Sequence, residues 1–244
     1  NIQLCMQLFD RLVEAWPERT IVPSLAERWD ISDDGLRYVF HLREGLRWSD
    51  GTPLTAHDIE FGIKRVLDPA APGSSVAIYF VLEAGEATYL GENTDWGAVG
   101  VHALDDRTVE FRLVAPAPYF MSVMNRPDAG PQPRHAIEAY GAQWTEPAQQ
   151  VTSGPFQVAS RTDDALLLRR RLDYSGPRTG NVAELELYHA AVSEALTDHA
   201  AGGTDMILVR YTPRLADVVP GVERDSALIG PAAWSAYLRF DHTH

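Results

Sequence analysis

One cysteine, Cys5, is all the thiol chemistry this 244-residue chain carries. That excludes an internal disulfide and any zinc site built from cysteines. Cys5 lies in an apolar run with Leu4, Met6 and Leu8, and reads as a buried, inert thiol. Cysteine poverty suits the cytosol and many exported bacterial proteins alike, so it leaves the compartment open. Basic residues are also scarce, 21 against 34 acidic ones for a net charge of −13. Nucleic-acid binding needs a basic footprint and is not expected. Apolar runs of about 18 residues are missing, so no membrane-spanning helix is read, and no charged-then-apolar leader is seen.

Motifs of catalysis are missing too. The sequence holds no G-x-S-x-G, no H-E-x-x-H, no G-x-G-x-x-G and no G-x-x-x-x-G-K. A nucleophile elbow, a helical zinc pair and the usual phosphate-cradling loops are therefore without signature. Acid pairs such as Asp33 and Asp34 need no spacing motif, which keeps an enzyme as a third reading. His242 and His244 form a terminal H-x-H without a third ligand. The stretch DISDDG, from Asp30 to Gly35, places Asp30, Ser32 and Asp34 at the alternating positions of a calcium loop. The twelfth position falls on His41 rather than a bidentate Glu, so a hairpin turn is the better reading.

Local patterning is strong. NIQLCMQLFDRLVE reads as an amphipathic helix with Leu4, Leu8, Phe9, Leu12 and Val13 on one face, and so abrupt an opening suggests a processed or engineered start. SLAERW, Ser24 to Trp29, reads as a further helical turn. LRYVFHL alternates Leu36, Tyr38, Phe40 and Leu42 against Arg37 and His41, as a half-buried strand does. Turns follow at Glu44-Gly45 and Asp50-Gly51. Thr55 then stands as an N-cap with Asp58 completing a capping box, and Leu54 and Ile59 form a hydrophobic staple. The helix from Ala56 buries Ile59, Ile63, Val66 and Leu67 and ends at Asp68-Pro69. This corner needs no catalytic role, and Trp48, Leu54, Ile59 and Ile63 are predicted to be buried.

VGVHAL and TVEFRLV form a hairpin around Asp105-Asp106-Arg107, with Val109, Phe111 and Leu113 inward and Glu110 and Arg112 outward. APAPYFMSVM contains a short apolar helix, RPDAGPQPRH is extended, and AIEAYGAQW is a short helix. Near Val151 the texture changes. TSGPFQV and ALLLRRRL are strands about Asp163-Asp164, with Arg169 to Arg171 as a solvated edge. ELELY is a strand with Leu185 and Leu187 inward, and SEALTDHAAGG is a helix capped by Ser193 and stopped by Gly202-Gly203. DMILV reads as a strand buried on both faces, completing a parallel crossover.

The block PSLAERWDISDDGLRYVFHLREGLRWSDGTPLTAHDIEFGIKRVLDP resembles the family 5 extracellular solute-binding proteins, the peptide, dipeptide and nickel receptors of ABC importers. The resemblance continues through VGVHALDDRTVEFRLVAPAPYFMSVM, AYGAQWTEPAQQVTSGPFQV and Gly202 to Met206, and is nearest the oligopeptide-binding branch. It implies an α/β fold: a class II periplasmic-binding-protein lobe with a mixed sheet, interrupted by a mostly antiparallel α+β subdomain. The expected boundaries are a main lobe of residues 1–27 and 151–244 and an insertion of residues 28–150, with the second lobe absent from this chain.

The resemblance also implies a peptide or peptide-like ligand, an ABC permease as partner and a monomer, with no cofactor; isolated histidines without a coordination motif add the expectation of no metal and no catalytic residue. The place would be extracytoplasmic, periplasmic or anchored at a bacterial cell surface. The alternative is a ligand-sensing domain of a cytoplasmic transcriptional regulator or signalling protein. Carried onto this sequence, the ligand contacts fall on Val76 and Tyr79, on Gly154, and on Leu208, Val209, Arg210 and Tyr211. Val76 stands where oligopeptide receptors place an aromatic, and Leu208 and Val209 stand where they use polar groups. Both departures bear on specificity and not on fold. Core packing in the sheet is a competing reading for Leu208 and Val209.

Overall fold

A computed structural model describes residues 2–15, 20–70, 76–188, 190–203 and 205. The chain opens with α1, Ile2–Leu8, closed by a bond from the Phe9 N–H to the Cys5 carbonyl at 2.8 Å. The expected helix through Val13 stops there, because the next residues find partners far along the chain. The Asp10 N–H donates to Ser153 Oγ at 2.9 Å, and the Arg11 and Leu12 carbonyls accept from the N–H groups of Leu25 and Ala26, both at 3.0 Å. Strand β1, Val13–Ala15, then pairs antiparallel with β2, Ile21–Pro23.

The segment expected as a helical turn at Ser24 to Trp29 is instead largely strand. In β3, Ala26–Ile31, Trp29 faces Phe40 of β4, Arg37–Leu42, in antiparallel register. A weak local helical preference yields to a paired edge, as tertiary context commonly dictates. The turn between them carries Gly35 at φ +68°, and Asp34 Oδ1 accepts from Ser32 Oγ at 2.6 Å and from the Leu36 N–H at 3.0 Å. The aspartates of this loop serve a hairpin.

The corner after β4 follows the expected pattern. Gly45 and Gly51 take φ of +71° and +85°, and a small antiparallel loop is closed by Leu54 N–H to the Leu46 carbonyl at 3.0 Å. Thr55 is the N-cap of α2, Ala56–Val66, and its N–H donates to Asp58 Oδ2 at 2.8 Å. Trp48, Ile59 and Ile63 are wholly buried and Leu54 nearly so.

Helix α2 lies across a four-stranded sheet of order β3-β4-β6-β5. Its last two members are β5, Val101–Asp105, and β6, Thr108–Arg112. Inward residues of both layers, among them Phe40, Phe111, Ile59 and Ile63, join one core with Leu12 and Val13. Between α2 and β5 runs the short α3, Gly85–Tyr89; after β6 come α4, Phe120–Met124, and α5, Arg134–Tyr140.

From Phe156 a second sheet forms: β7, Phe156–Arg161, β8, Ala165–Arg170, and β9, Glu184–Tyr188, antiparallel in that order. Its core is small. Leu8 of α1 packs with Phe156 and Leu168, bordered by the partly buried Leu4, Leu185 and Leu187. Phe9 touches both cores and so bridges the two sheets. Helix α6, Val192–Ala200, follows with Ala191 as N-cap, so Ser193 lies inside the helix rather than at its cap. Gly202 closes it at φ +79°. The predicted buried strand at Met206 to Val209, its crossover, and the histidines at 242 and 244 lie outside the described residues.

Candidate functional site

Residues 151–155 join the four-stranded region to the three-stranded sheet, and their backbone is tied by several hydrogen bonds to distant residues. The Gly154 N–H donates to the Leu8 carbonyl at 2.8 Å. A Cβ on Gly154 would stand 2.5 Å from the Gln7 carbonyl oxygen and 2.7 Å from the Leu8 carbonyl carbon. Only glycine permits that approach. From the corner, the Ser49 N–H donates to the Thr152 carbonyl, and the Thr152 N–H donates back to Ser49 Oγ, both at 2.9 Å. The corner that reads as a rigid turn in the sequence is therefore also a strut for the joint.

Arg171 completes the clamp. It is buried, and its Nη1 donates to the carbonyls of Thr152 at 2.9 Å and Gly154 at 3.2 Å, while Nη2 pairs with Asp173 at 3.2 Å. The expected solvated edge at Arg169 to Arg171 is thus only partly one. Arg169 pairs with Glu184 at the surface, and Arg170 stacks over the Phe156 ring at 4.8 Å. Arg171 turns inward because three backbone carbonyls, including that of Arg47, converge where its guanidinium lies. The hydrogen bonds of Arg171 to the Asp173 carboxylate hold that acid below its ordinary range.

Beside the joint lies a chain of four charged groups. Asp10 is fully buried; it accepts from the Tyr174 hydroxyl and from Arg178 Nε, both at 2.8 Å. Burial pushes the Asp10 carboxyl upward, and Arg178 and Tyr174 oppose that shift without cancelling it. Arg178 also donates to the Met6 carbonyl and lies 3.6 Å from Glu14. Glu14 in turn accepts from Arg11 Nη2 at 2.9 Å. Sequence reasoning missed this group. Asp10 and Arg178 stand 168 positions apart, and no local pattern couples them.

The positions carried over by resemblance are distributed unequally. Val76 opens a 3-10 turn, Val76–Tyr79, and is partly buried against the larger core. Tyr79 is wholly buried; its hydroxyl lies by Asp128 and Arg126, and burial raises its pKa. As placed, Tyr79 supports the loop from within and offers no surface of its own. Gly154 stands in the joint, and Leu208, Val209, Arg210 and Tyr211 lie outside the described residues. Among the described residues no cluster of three or more His, Cys, Asp or Glu side chains is arranged to hold a metal ion.

A shallow cleft of about 340 Å³ opens on the other side of the corner, lined by Ser49, Asp50, His135, Tyr140, Gln150 and Gln157. His135 Nε2 lies 2.7 Å from Asp50 Oδ2. Burial pulls Asp50 upward, but hydrogen bonds from Thr52 and His135 hold it lower than usual.

Residues 20–244 match the family described as bacterial extracellular solute-binding proteins, family 5. The chain belongs to this family. A probable deoxycholate-binding periplasmic protein of Escherichia coli is 33% identical over 98% of the chain and 45% of its own length. The periplasmic oligopeptide-binding protein OppA of Salmonella typhimurium is 37% identical over 68% of the chain and 31% of its own length. Among solved structures, a periplasmic oligopeptide-binding protein of Borrelia burgdorferi superposes with a TM-score of 0.79 at 31% identity, covering 84% of the chain and 41% of that protein. The chain therefore spans less than half the length of these relatives. Its mixed α/β architecture is that of a family 5 periplasmic binding protein.

Proposed function

We propose that this family 5 chain forms one wall of a receptor that captures peptide-like solutes outside the cytoplasm and hands them to an ABC permease. The observation that carries the reading is likeness, over 68% of the chain in sequence and 84% in structure, to proteins described as oligopeptide-binding. Its mechanism is closure of two lobes about the solute without covalent chemistry, in the hinge manner of such receptors. The receptor acts as a monomer without cofactor, and it is not an enzyme. Residues 1–27 and 151–244 form the main unit in this reading, and 28–150 the insertion. In this reading Val76 and the segment Leu208 to Tyr211 contact the solute, Gly154 serves by holding the joint, and Tyr79 braces the Val76 turn.

Calorimetry of the full-length protein against a mixed peptide library tests the reading, with micromolar binding expected. Residues 1–244 alone supply half of an enclosing surface, and small ligands bind well only when largely enclosed. Their peptide affinity is expected to be weaker than about millimolar, or about 4 kcal/mol. Micromolar binding by residues 1–244 alone contradicts the half-site; no peptide binding by the full-length protein contradicts the function.

A second reading has one observation behind it. One relative, matched over 98% of the chain, is described as probably deoxycholate-binding, so a carboxylated apolar solute is the competing ligand class. Deoxycholate titrated into the same full-length protein separates the two.

A further inference from the structure

Side chains from four separate segments meet in the cleft of about 340 Å³ beside the corner. Asp50 comes from the corner itself, His135 and Tyr140 from α5, Gln150 from the run into the joint, and Gln157 from β7. The cleft therefore crosses from the four-stranded region to the three-stranded sheet, and small-molecule sites favour such boundaries. Its volume falls at the low end of the ligand range, about 300–1,000 Å³. Alanines at 136, 139 and 148 keep it open, since each contributes no more than a methyl group. The polar groups around it are reachable from solvent. The side chains of Asp50 and His135 are each 36% exposed, Tyr140 is 49% exposed, and Gln157 is exposed on its strand.

The chemistry of the lining selects a ligand class. Among the described residues no lysine or arginine lines the cleft, so an anion finds no cationic partner beyond His135. The carboxylate of Asp50 is already engaged: Oδ1 accepts from the Thr52 N–H at 3.0 Å, and Oδ2 lies 2.7 Å from His135 Nε2. A cation has to compete with both. What is left is neutral, the amides of Gln149, Gln150 and Gln157 and the hydroxyl of Tyr140. An amide offers two donors and an acceptor, and a hydroxyl one donor and two lone pairs. That mixture matches a molecule carrying several hydroxyls, each donor and acceptor at once. Tyr140 adds a ring whose apolar face can cover the C–H edges of such a ligand.

We propose that this cleft binds a small neutral polyhydroxylated ligand, a free monosaccharide or the terminal sugar of a glycoside. The site is separate from the peptide-like solute's and does not depend on the receptor reading. Gln157 and Tyr140 meet the ligand's hydroxyls from β7 and α5, and the Asp50–His135 pair closes one end. A ligand held from both elements also braces the joint between them.

Saturation-transfer NMR on the full-length protein tests this with glucose, galactose and mannose and with their methyl glycosides. Glucosamine and glucuronate serve as charged counterparts of glucose. At least one neutral sugar is expected to bind with a Kd of about millimolar, as suits a shallow cleft that encloses only part of its ligand. Ala139→Trp fills the cleft from an exposed position and is expected to abolish the signal. Gln157→Leu removes one polar partner and is expected to weaken binding about tenfold. Both positions are exposed, so the melting temperature is expected to stay within about 2 °C of wild type. Preference for a free sugar over its glycoside supports a monosaccharide site, and equal binding supports a terminal sugar. No binding of any neutral sugar overturns the proposal, as does binding that neither substitution alters. Glucosamine or glucuronate bound about tenfold more tightly than glucose overturns it too, because the cleft then serves a charged ligand. Calorimetry with the mixed peptide library on the same proteins keeps the two readings apart. Peptide binding is expected to survive both substitutions. Its loss in both would make the cleft part of the peptide site and overturn the separate one, whereas its absence from wild type sinks the receptor reading alone.

Discussion

The two larger sheets among the described residues are held by different means. The four-stranded sheet and α2 enclose a continuous core in which Phe40, Phe111, Phe120, Trp48 and Ile63 are shielded from solvent. Their rings meet edge to face, with Phe40 and Phe111 centroids 5.6 Å apart. The three-stranded sheet buries little more than Leu8, Phe156 and Leu168, and leaves Leu172 fully exposed. Apolar burial is the main stabilising term, so the first unit carries its own stability and the second leans on the joint. At the joint, polar ties replace core: Ser49 with Thr152, Gly154 with Leu8, Arg171 with two carbonyls.

The sharpest way to break that contrast is at Gly154. Gly154→Val places a side chain against the backbone of Gln7 and Leu8 where even a Cβ would be 2.5 Å from an oxygen. A loss above about 4 kcal/mol is expected, in the range that marks a backbone clash. Hydrogen exchange should show β7 to β9 opening while β4 and β6 stay protected. Uniform loss across both sheets would show them to be one cooperative unit.

Phe40→Ala tests the opposite pole. Phe40 is wholly buried between Trp29 and Phe111, and its removal is expected to cost about 3–4 kcal/mol by chemical denaturation. Phe156→Ala should cost about 1 kcal/mol less, because partly exposed neighbours can relax into the space. Equal losses would mean that the smaller cluster is as rigid as the larger.

Two carboxylates in the larger unit respond to acid in opposite senses. Asp58 accepts from the Thr55 N–H at 2.8 Å and the Trp48 indole N–H at 3.4 Å, and its removal should cost about 2 kcal/mol by stranding both donors. Burial raises its pKa, with the bonds from Thr55 and Trp48 opposing. A raised carboxyl favours the fold below the unfolded value and loses that advantage as pH rises through the folded one. The deficit of Asp58→Ala is therefore expected to widen on acidification. Glu110 is lowered: burial pushes it up, but Arg37 and Arg112 hold it down further. Its contribution is present above the unfolded pKa and is lost as pH falls through the folded one. Both arginines are about half exposed, so Glu110→Gln should cost only about 1–2 kcal/mol at neutral pH, and nothing in acid. Urea midpoints at pH 7 and pH 3 decide both signs.

Glu110 also shows where sequence reasoning stops. Alternation in TVEFRLV places it outward with Arg112, and its side chain does leave the core face. It is buried all the same, because the arginines at 37 and 112 fold over it. The hairpins, the corner, α2 and the β7–β8 pair were legible because cap, turn and period act within a few residues. Phe40, Phe111 and Ile63 came with them. The strand at Ala26–Ile31 was not legible, since its identity depends on β4 and not on its own composition. Of the joint, the sequence showed only the change of texture near Val151; Gly154 was read as a ligand contact rather than as a packing position. Arg171, Asp10 and Arg178 owe their roles to carbonyls and acids up to 168 positions away, which no local pattern encodes.

The smallest effect is expected at Thr55, and it separates two ways of starting a helix. Thr55 takes extended backbone, φ −127° and ψ 172°, and its hydroxyl lies 3.4 Å from Asp58 Oδ2, a long contact. The stronger half of the box runs the other way, from the Thr55 N–H to Asp58 at 2.8 Å, and it survives any substitution that keeps the backbone. Thr55→Ala is therefore expected to cost about 0.5 kcal/mol, at the low end of the range for N-caps. The staple of Leu54 and the buried Ile59 continues to fix the entry angle. A loss of about 2 kcal/mol in a urea titration would assign the start of α2 to the hydroxyl rather than to Asp58 and the apolar staple.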